Sequence, residues 1–239
     1  MKTILITGAS AGIGAACARA FLEAGWQVGL LARRAEALAD VAGGLENAVI
    51  LPCDVTDATA VRAAFDTFVA QAGRLDVLFN NAGTFGTAGT VDAIAPEDWD
   101  RVRAVNLDGM LYCAQAAFGQ MRRQVPQGGR IINNGSISAH SPREGSICYT
   151  TTKHAITGMT KSLSLDGRPF GIACSQIDIG NARTELLQGI MDQDPENAPP
   201  TMDVTHVSDA VLHMAGLPAE ANVQFMTLMA TTMPYVGRG

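Results

Sequence analysis

Lys2-Thr-Ile-Leu-Ile-Thr7, running into Gly8-Ala-Ser-Ala-Gly12-Ile-Gly14, is the stretch from which this 239-residue chain is best read. The first six residues are a short apolar, β-branched run. The glycines follow at a turn, and helical spacing then continues through Ala15, Ala18, Phe21 and Leu22. Strand, glycine turn and helix in that order suit a pyrophosphate. Glycines permit a tight turn and close backbone approach, and the amides and dipole at the helix N-terminus attract the anion. The spacing is Gly-x-x-x-Gly-x-Gly rather than the commoner Gly-x-Gly-x-x-Gly, and glycines here could also serve close packing alone. Trp26-Gln-Val-Gly-Leu-Leu31 supplies the second strand of a βαβ nucleotide-binding unit.

At the end of that second strand, about 20 residues past the glycines, an NAD-binding chain should carry an acid for the ribose hydroxyls. Here the chain reads Ala32-Arg33-Arg34. An alanine leaves the ribose unclaimed and removes repulsion toward a 2′-phosphate, and Arg33, with Arg34 beside it, could pair with that phosphate. A hydrogen bond to a charged group contributes about 1.5–3 kcal/mol. The expectation is therefore NADP(H), with NAD(H) as the lesser alternative. Both arginines could instead be solvated at a helix start, with Glu36 able to pair with either.

Further strand-like runs recur at 48–52, 75–79, 130–133, 172–178 and 223–228, separated by helical patterns at 57–72, 96–125 and 147–166. This alternation predicts an α/β, doubly wound, mostly parallel sheet covered on both faces. With 47% hydrophobic residues the chain can bury a substantial core, and one domain over 1–239 is expected. Seventeen Lys and Arg against 23 Asp and Glu give a net charge of −6, without the basic footprint of a nucleic-acid binder. No apolar stretch approaches the roughly 20 residues that span a bilayer, and Met1-Lys-Thr-Ile-Leu-Ile does not read as a signal peptide, so a cytoplasmic location is expected. Cys17, Cys53, Cys113, Cys148 and Cys174 are scattered, without paired metal spacing, and read as reduced, buried thiols. His140, His154, His206 and His213 share no ligand spacing, and no metal site is expected.

The chemistry is carried by Ser146-Ile-Cys-Tyr-Thr-Thr-Thr-Lys-His-Ala155. On a helix Tyr149 and Lys153 share a face, which sets an ammonium beside a phenol. One unit charge at about 6 Å, with an effective dielectric near 20, supplies roughly 2.8 kcal/mol. Bringing a free phenol into the neutral range takes roughly 4 kcal/mol. A second positive charge is needed, and an oxidised nicotinamide is the candidate. Ser136 lies thirteen residues before the tyrosine.

Together these residues resemble the short-chain dehydrogenase/reductase family, specifically its members of about 250 residues. Thr7-Gly-Ala-Ser-Ala-Gly-Ile-Gly14 looks like the family's cofactor motif, Cys53-Asp54-Val55 like its adenine-contacting turn, and Asn80-Asn-Ala-Gly83 like the motif that stabilises the central strand. Asn106, Ser136, Tyr149 and Lys153 match its catalytic tetrad in order and spacing, and the likeness runs over residues 1–185. The resemblance implies a Rossmann domain with a seven-stranded sheet. It also implies a coenzyme held by Gly8, Ser10, Ala11, Gly12, Ile13, Gly14, Arg33, Arg34, Asp54, Val55, Asn80, Ala82, Gly83, Tyr149, Lys153, Gly180, Ala182 and Thr184. Tyr149 would protonate a carbonyl oxygen as hydride arrives, Ser136 would hydrogen-bond that oxygen, Lys153 would bind the nicotinamide ribose, and Asn106 would link the lysine to solvent through its helix and a water. Residue by residue the alternatives are modest: Asn106 and Asp54 could be caps, and Ser138 could be mistaken for the catalytic serine.

Two departures stand out. Where the family usually has Pro-Gly after the strand at 172–178, this chain has Ile179-Gly180. Its C-terminal region carries Met226, Met229 and Met233, which could reach a neighbouring subunit or fill the core. Residues 185–205 have the composition of a substrate lid, with three prolines arguing against a regular element throughout. Arg143 and Glu144 sit on the loop that usually lines the pocket, where they could touch a polar substrate group or remain solvated. The resulting expectation is an NADP(H)-linked oxidoreductase acting on a small-molecule carbonyl or secondary alcohol, without nucleic-acid or membrane partners, assembled as a homotetramer or homodimer. The alternatives are an NAD-linked alcohol dehydrogenase and a non-catalytic dinucleotide sensor or scaffold.

Overall fold

Alternation along β1 (Thr3–Thr7) organises the interior, because successive side chains of a strand point to opposite faces. Ile4 and Ile6 enter one apolar cluster with Phe21 of α1 (Gly12–Glu23) and Val211 of α8 (Thr205–Gly216). Leu5 enters the other, with Phe68 of α3 (Ala58–Ala72) and Cys113 of α5 (Met110–Arg123). All five residues of β1 are buried, as a strand covered by helices on both sides must be. The computed structural model describes residues 1–235, with Leu186 and Ile190 described by their backbone alone.

The other strands are β2 (Gln27–Ala32), β3 (Ala48–Pro52), β4 (Val77–Asn80), β5 (Gly129–Asn134), β6 (Ile172–Ile179) and β9 (Phe225–Leu228), with β7 (Ala182–Arg183) and β8 (Met202–Asp203) forming a separate short pair. The main sheet has seven strands in the order β3-β2-β1-β4-β5-β6-β9. Every pairing in it is parallel, as a doubly wound fold requires. The strand order reverses between β1 and β4, and a crevice opens there at the C-terminal strand ends, where such sheets bind ligands.

Three elements differ from the sequence reading. The helical pattern over 96–125 is not one helix: α4 (Pro96–Arg103) and α5 are joined by a π-helical turn at Ala104–Gly109. The π turn packs against the loop after β3, where a Cβ on Gly109 would lie 2.8 Å from Val55 Cγ2. The proline-rich segment begins with a regular helix, α7 (Glu185–Gln193), capped by Thr184 Oγ1, which accepts from Leu187 N–H. All three prolines lie beyond its end, so none interrupts it. The helix α8 had no counterpart in the periodicity reading; it packs along α1. Ile179, in the place of a proline, lets β6 continue in register with Leu228 of β9. Met226 and Met233 pack against the first apolar cluster, which favours the core use of the C-terminal methionines.

Candidate active site

The glycine turn is built to be approached. Gly8 and Gly12 have φ of 68° and 55°, a region that side chains disfavour, and a Cβ on Gly14 would collide with the carbonyl oxygen of Gly8 and lie 2.7 Å from Asn81 Nδ2. Ala11, at the N-cap of α1, offers no side-chain acceptor, and the first turn holds no acid. The leading amides of α1 are therefore left for an outside anion. Thr7 locks this turn to the next strand end: its Oγ1 accepts from the amides of Asn81 and Ala82 at 2.8 and 2.9 Å, and Asn81 Nδ2 donates back to Thr7 O at 2.8 Å.

One cleft of about 770 Å³ extends from this turn in both directions. At one end it is lined by Arg33, Arg34, Asp54 and Val55. Both arginines are exposed, and among the described residues neither forms an ion pair, so Glu36 is not their partner. Asp54 Oδ1 accepts from Thr56 N–H and Oγ1 at 2.9 and 2.8 Å, so the cap role and a place in the cleft coexist. Its carboxyl is held below the usual range, mainly by that amide, helped by the Thr56 hydroxyl and the nearby Arg33, against a smaller opposing effect of burial.

At the other end stand Ala82, Gly83, Phe85, Tyr149, Lys153 and Thr184. Tyr149 lies in the first turn of α6 (Ile147–Gly167), and Lys153, one turn on, is only 3% exposed. Lys153 Nζ sits 5.4 Å from the Tyr149 ring centroid and donates to Asn134 O at 2.7 Å. Asn106, fully buried, occupies the π turn, a helix irregularity frequent at functional sites. Its Oδ1 accepts from Thr84 N–H at 2.7 Å, and its Nδ2 donates to Thr84 O and Thr152 Oγ1 at 2.8 and 3.2 Å. A Cβ on Gly83 would come within 3.4 Å of Asn106 Oδ1 and 3.9 Å of Lys153 Nζ, which brings both residues to the same turn. Ser136 begins the short 3-10 turn Ile137–Ala139 after β5. The amide of Ser138 donates to Ser136 Oγ at 3.1 Å, so Ser136 caps this turn and Ser138 lies within it.

Several expected coenzyme residues lie behind the cleft wall. Asn80 is buried and spends its Nδ2 on Met110 O at 2.7 Å and Asn133 Oδ1 at 3.3 Å, so it supports the central strand rather than facing the cleft. Gly180 is required by packing, since a Cβ there would lie 2.8 Å from Met229 Cβ, and Ala182 pairs with Met202. Of the other groups at the site, Arg143 and Glu185 fall in segments the sequence singled out, whereas Phe85, Arg101 and Asn134 carried no signal. Phe85 stacks at 5.1 Å on Tyr149, and Arg143 lies 5.3 Å from the Phe85 centroid. Arg101, Asn134 and Glu185 line the cleft, and Asn134 Nδ2 donates to Asn81 Oδ1 at 2.8 Å. His140, four residues after Ser136, meets Asp178. Among the described residues no cluster of His, Cys, Asp or Glu could hold a metal ion, and no helix is long and apolar enough to cross a membrane.

A parallel doubly wound sheet, an anion-receptive glycine turn at its switch point and a Tyr–Lys pair opening on the same cleft define a dinucleotide-dependent oxidoreductase. The family model for short chain dehydrogenases matches residues 2–195. The chain belongs to the short-chain dehydrogenase/reductase family. It is 32% identical over 191 residues to a 3beta-hydroxysteroid dehydrogenase of Mediterraneibacter gnavus, covering 78% of this chain and 68% of the relative. It is also 32% identical to the 2-(R)-hydroxypropyl-CoM dehydrogenase of Xanthobacter autotrophicus, over 90% of this chain and 91% of the relative. Among solved structures, the closed form of a serine dehydrogenase complexed with NADP+ superposes with a TM-score of 0.89 at 28% identity, over 99% and 98% of the two chains.

Proposed function

We propose that this protein transfers hydride between NADP(H) and a small to medium carbonyl compound or its secondary alcohol, with Tyr149 as the proton donor and acceptor. The observation that carries the reading is the Tyr149 phenol beside a buried ammonium, on the same cleft as the glycine turn. The turn fits a pyrophosphate: Gly8 and Gly12 keep backbone conformations that leave it free of side chains, and the α1 amides have no side-chain cap. When bound, the nicotinamide supplies and accepts the hydride. The remaining work falls to the backbone and side chains of this protein.

Gly8 to Gly14 hold the pyrophosphate, and Asp54 and Val55 flank the adenine end. The preference for NADP(H) rests on the pair of exposed arginines and the absence of an acid at Ala32. Lys153 binds ribose hydroxyls and stabilises negative charge developing on the phenol. Ser136, whose Oγ already accepts the Ser138 amide, is left with its own proton to donate to the substrate oxygen. Asn106 holds the 83–84 turn against α6, and its π turn is the route by which a water would link Lys153 to solvent. Residues 185–205 act as a lid, with Glu185 at its cleft edge. A homo-oligomer built on α5 and α6 is consistent with the exposed Leu111, Ile147 and Leu165 on those helices.

The test is NADPH absorbance in the presence of diacetyl, menadione and benzaldehyde, repeated with NADH. Turnover with NADPH exceeding that with NADH is expected. Tight NADPH binding with no turnover across the panel would favour a non-catalytic sensor instead.

A further inference from the structure

One buried carboxylate grips both ends of the turn that presents Ser136. Asp178, near the end of β6, is fully buried. Its Oδ1 accepts from Ser136 N–H at 2.9 Å and from Gln176 Nε2 at 2.8 Å. Its Oδ2 lies 2.8 Å from His140 Nε2. Between these two anchors the chain makes a single tight turn, in which Ala139 N–H donates to Ser136 O at 2.8 Å and His140 N–H to Ile137 O at 3.0 Å. Gly135 fits because Asp178 takes the space of its side chain: a Cβ there would collide with Asp178 Oδ1 and lie 2.8 Å from Gln176 Nε2.

A buried carboxylate is costly unless its lone pairs find donors, and Asp178 finds three. Two of them, the Ser136 amide and the His140 ring, belong to the serine's own turn. In the imidazole tautomer with its proton on Nε2, His140 donates to Oδ2. The arrangement is not a nucleophilic triad, because the imidazole addresses the carboxylate and Ser136 Oγ accepts from Ser138 instead. Nothing in the spacing of the chain marks this pairing, for His140 and Asp178 are 38 residues apart.

We propose that Asp178 and His140 are positioning residues that fix where Ser136 presents its hydroxyl. The proposal rests on the reading of Ser136 as the donor to the substrate oxygen. The exposed edge of His140 tolerates exchange, while its Nε2–H closes the clamp. Without that donor Asp178 turns, the amide of Ser136 follows it, and the hydroxyl is displaced. A misplacement of about 1 Å in such a constellation costs on the order of a hundredfold in rate.

The test places His140→Leu and His140→Gln in both the parent protein and a Ser136→Ala background, with diacetyl and NADPH as the probe. In the parent, His140→Leu is expected to lower kcat about 10- to 100-fold while leaving the KM for diacetyl and the Kd for NADPH within about twofold. His140→Gln, which keeps an N–H for Asp178, recovers most of the rate. In the Ser136→Ala background His140→Leu adds no further loss, as residues acting through one hydroxyl must behave. An equal loss in both backgrounds, or a loss matched by a fall in folded fraction, overturns the positioning role and leaves the catalytic reading standing. A Ser136→Ala protein as active as the parent removes both. A crystal structure of His140→Leu decides independently of turnover: a changed separation between Ser136 Oγ and the Tyr149 hydroxyl supports the clamp, and an unchanged one overturns it.

Discussion

Replacing Lys153 by Met tests how much of the rate comes from one charge. The ammonium lies 5.4 Å from the Tyr149 ring and is 3% exposed, so it is little screened by water. With an effective dielectric near 20, a unit charge at that distance stabilises charge developing on the phenol by about 3 kcal/mol. Its removal should lower kcat by roughly two orders of magnitude at saturating NADPH. The substitution also leaves Asn134 O without its donor, at a cost of about 1–3 kcal/mol in stability, so a lower melting temperature is expected alongside. Hydride transfer is followed by NADPH absorbance on protein shown to be folded and loaded with coenzyme. Added salt should not reproduce the loss in the parent, because the ammonium is buried. A fall in kcat of less than about threefold, with coenzyme binding intact, would refute the electrostatic role assigned to the lysine.

Gly14→Ala should abolish detectable NADPH binding and destabilise the fold by about 1–3 kcal/mol, since the new methyl meets the Gly8 carbonyl and Asn81; fluorescence titration and thermal melts report both. Arg33→Ala should cut the NADPH-to-NADH affinity ratio roughly ten- to a hundredfold, and an unchanged ratio would reject its contact with the 2′-phosphate. All five cysteines are buried, so a thiol reagent should label them slowly in the native protein and completely in denaturant. Burial, helped by Asp54 and Asp57, pushes the Cys53 thiol from 9.0 up to about 11. Its thiolate therefore forms more readily in the unfolded chain, and the melting temperature should fall as pH rises from about 9 toward 11. A flat melting temperature over that interval would contradict this burial effect.

What the sequence made legible is what local spacing determines. The glycine turn, the i, i+4 relation of Tyr149 and Lys153 and the alternation of strands and helices each follow from backbone geometry within a few residues, and the structure brings them to one cleft. What stayed hidden depends on partners distant along the chain. The π turn under Asn106 keeps a helical periodicity, so 96–125 reads as one helix although an irregularity separates its halves. Asp178 reads as part of an apolar strand until the fold sets it under Ser136. Asn80 and Gly180 match the motif, yet the Asn80 side chain supports the central strand and the space beside Gly180 is filled by Met229. Arg143 and Phe85 lie on two loops that the Gly89 N–H joins by donating to Gly145 O at 3.0 Å, a contact between segments distant along the chain.

The most direct test of the account is Tyr149→Phe, measured as a single turnover of enzyme-bound NADPH with diacetyl. Loss of the hydroxyl alone should leave NADPH affinity within about twofold of the parent, because the phenol is not needed to hold the pyrophosphate, and should reduce hydride transfer by at least about a thousandfold. Transfer at a rate near that of the parent would contradict the assignment of Tyr149 as the proton donor, and with it the reading of this cleft.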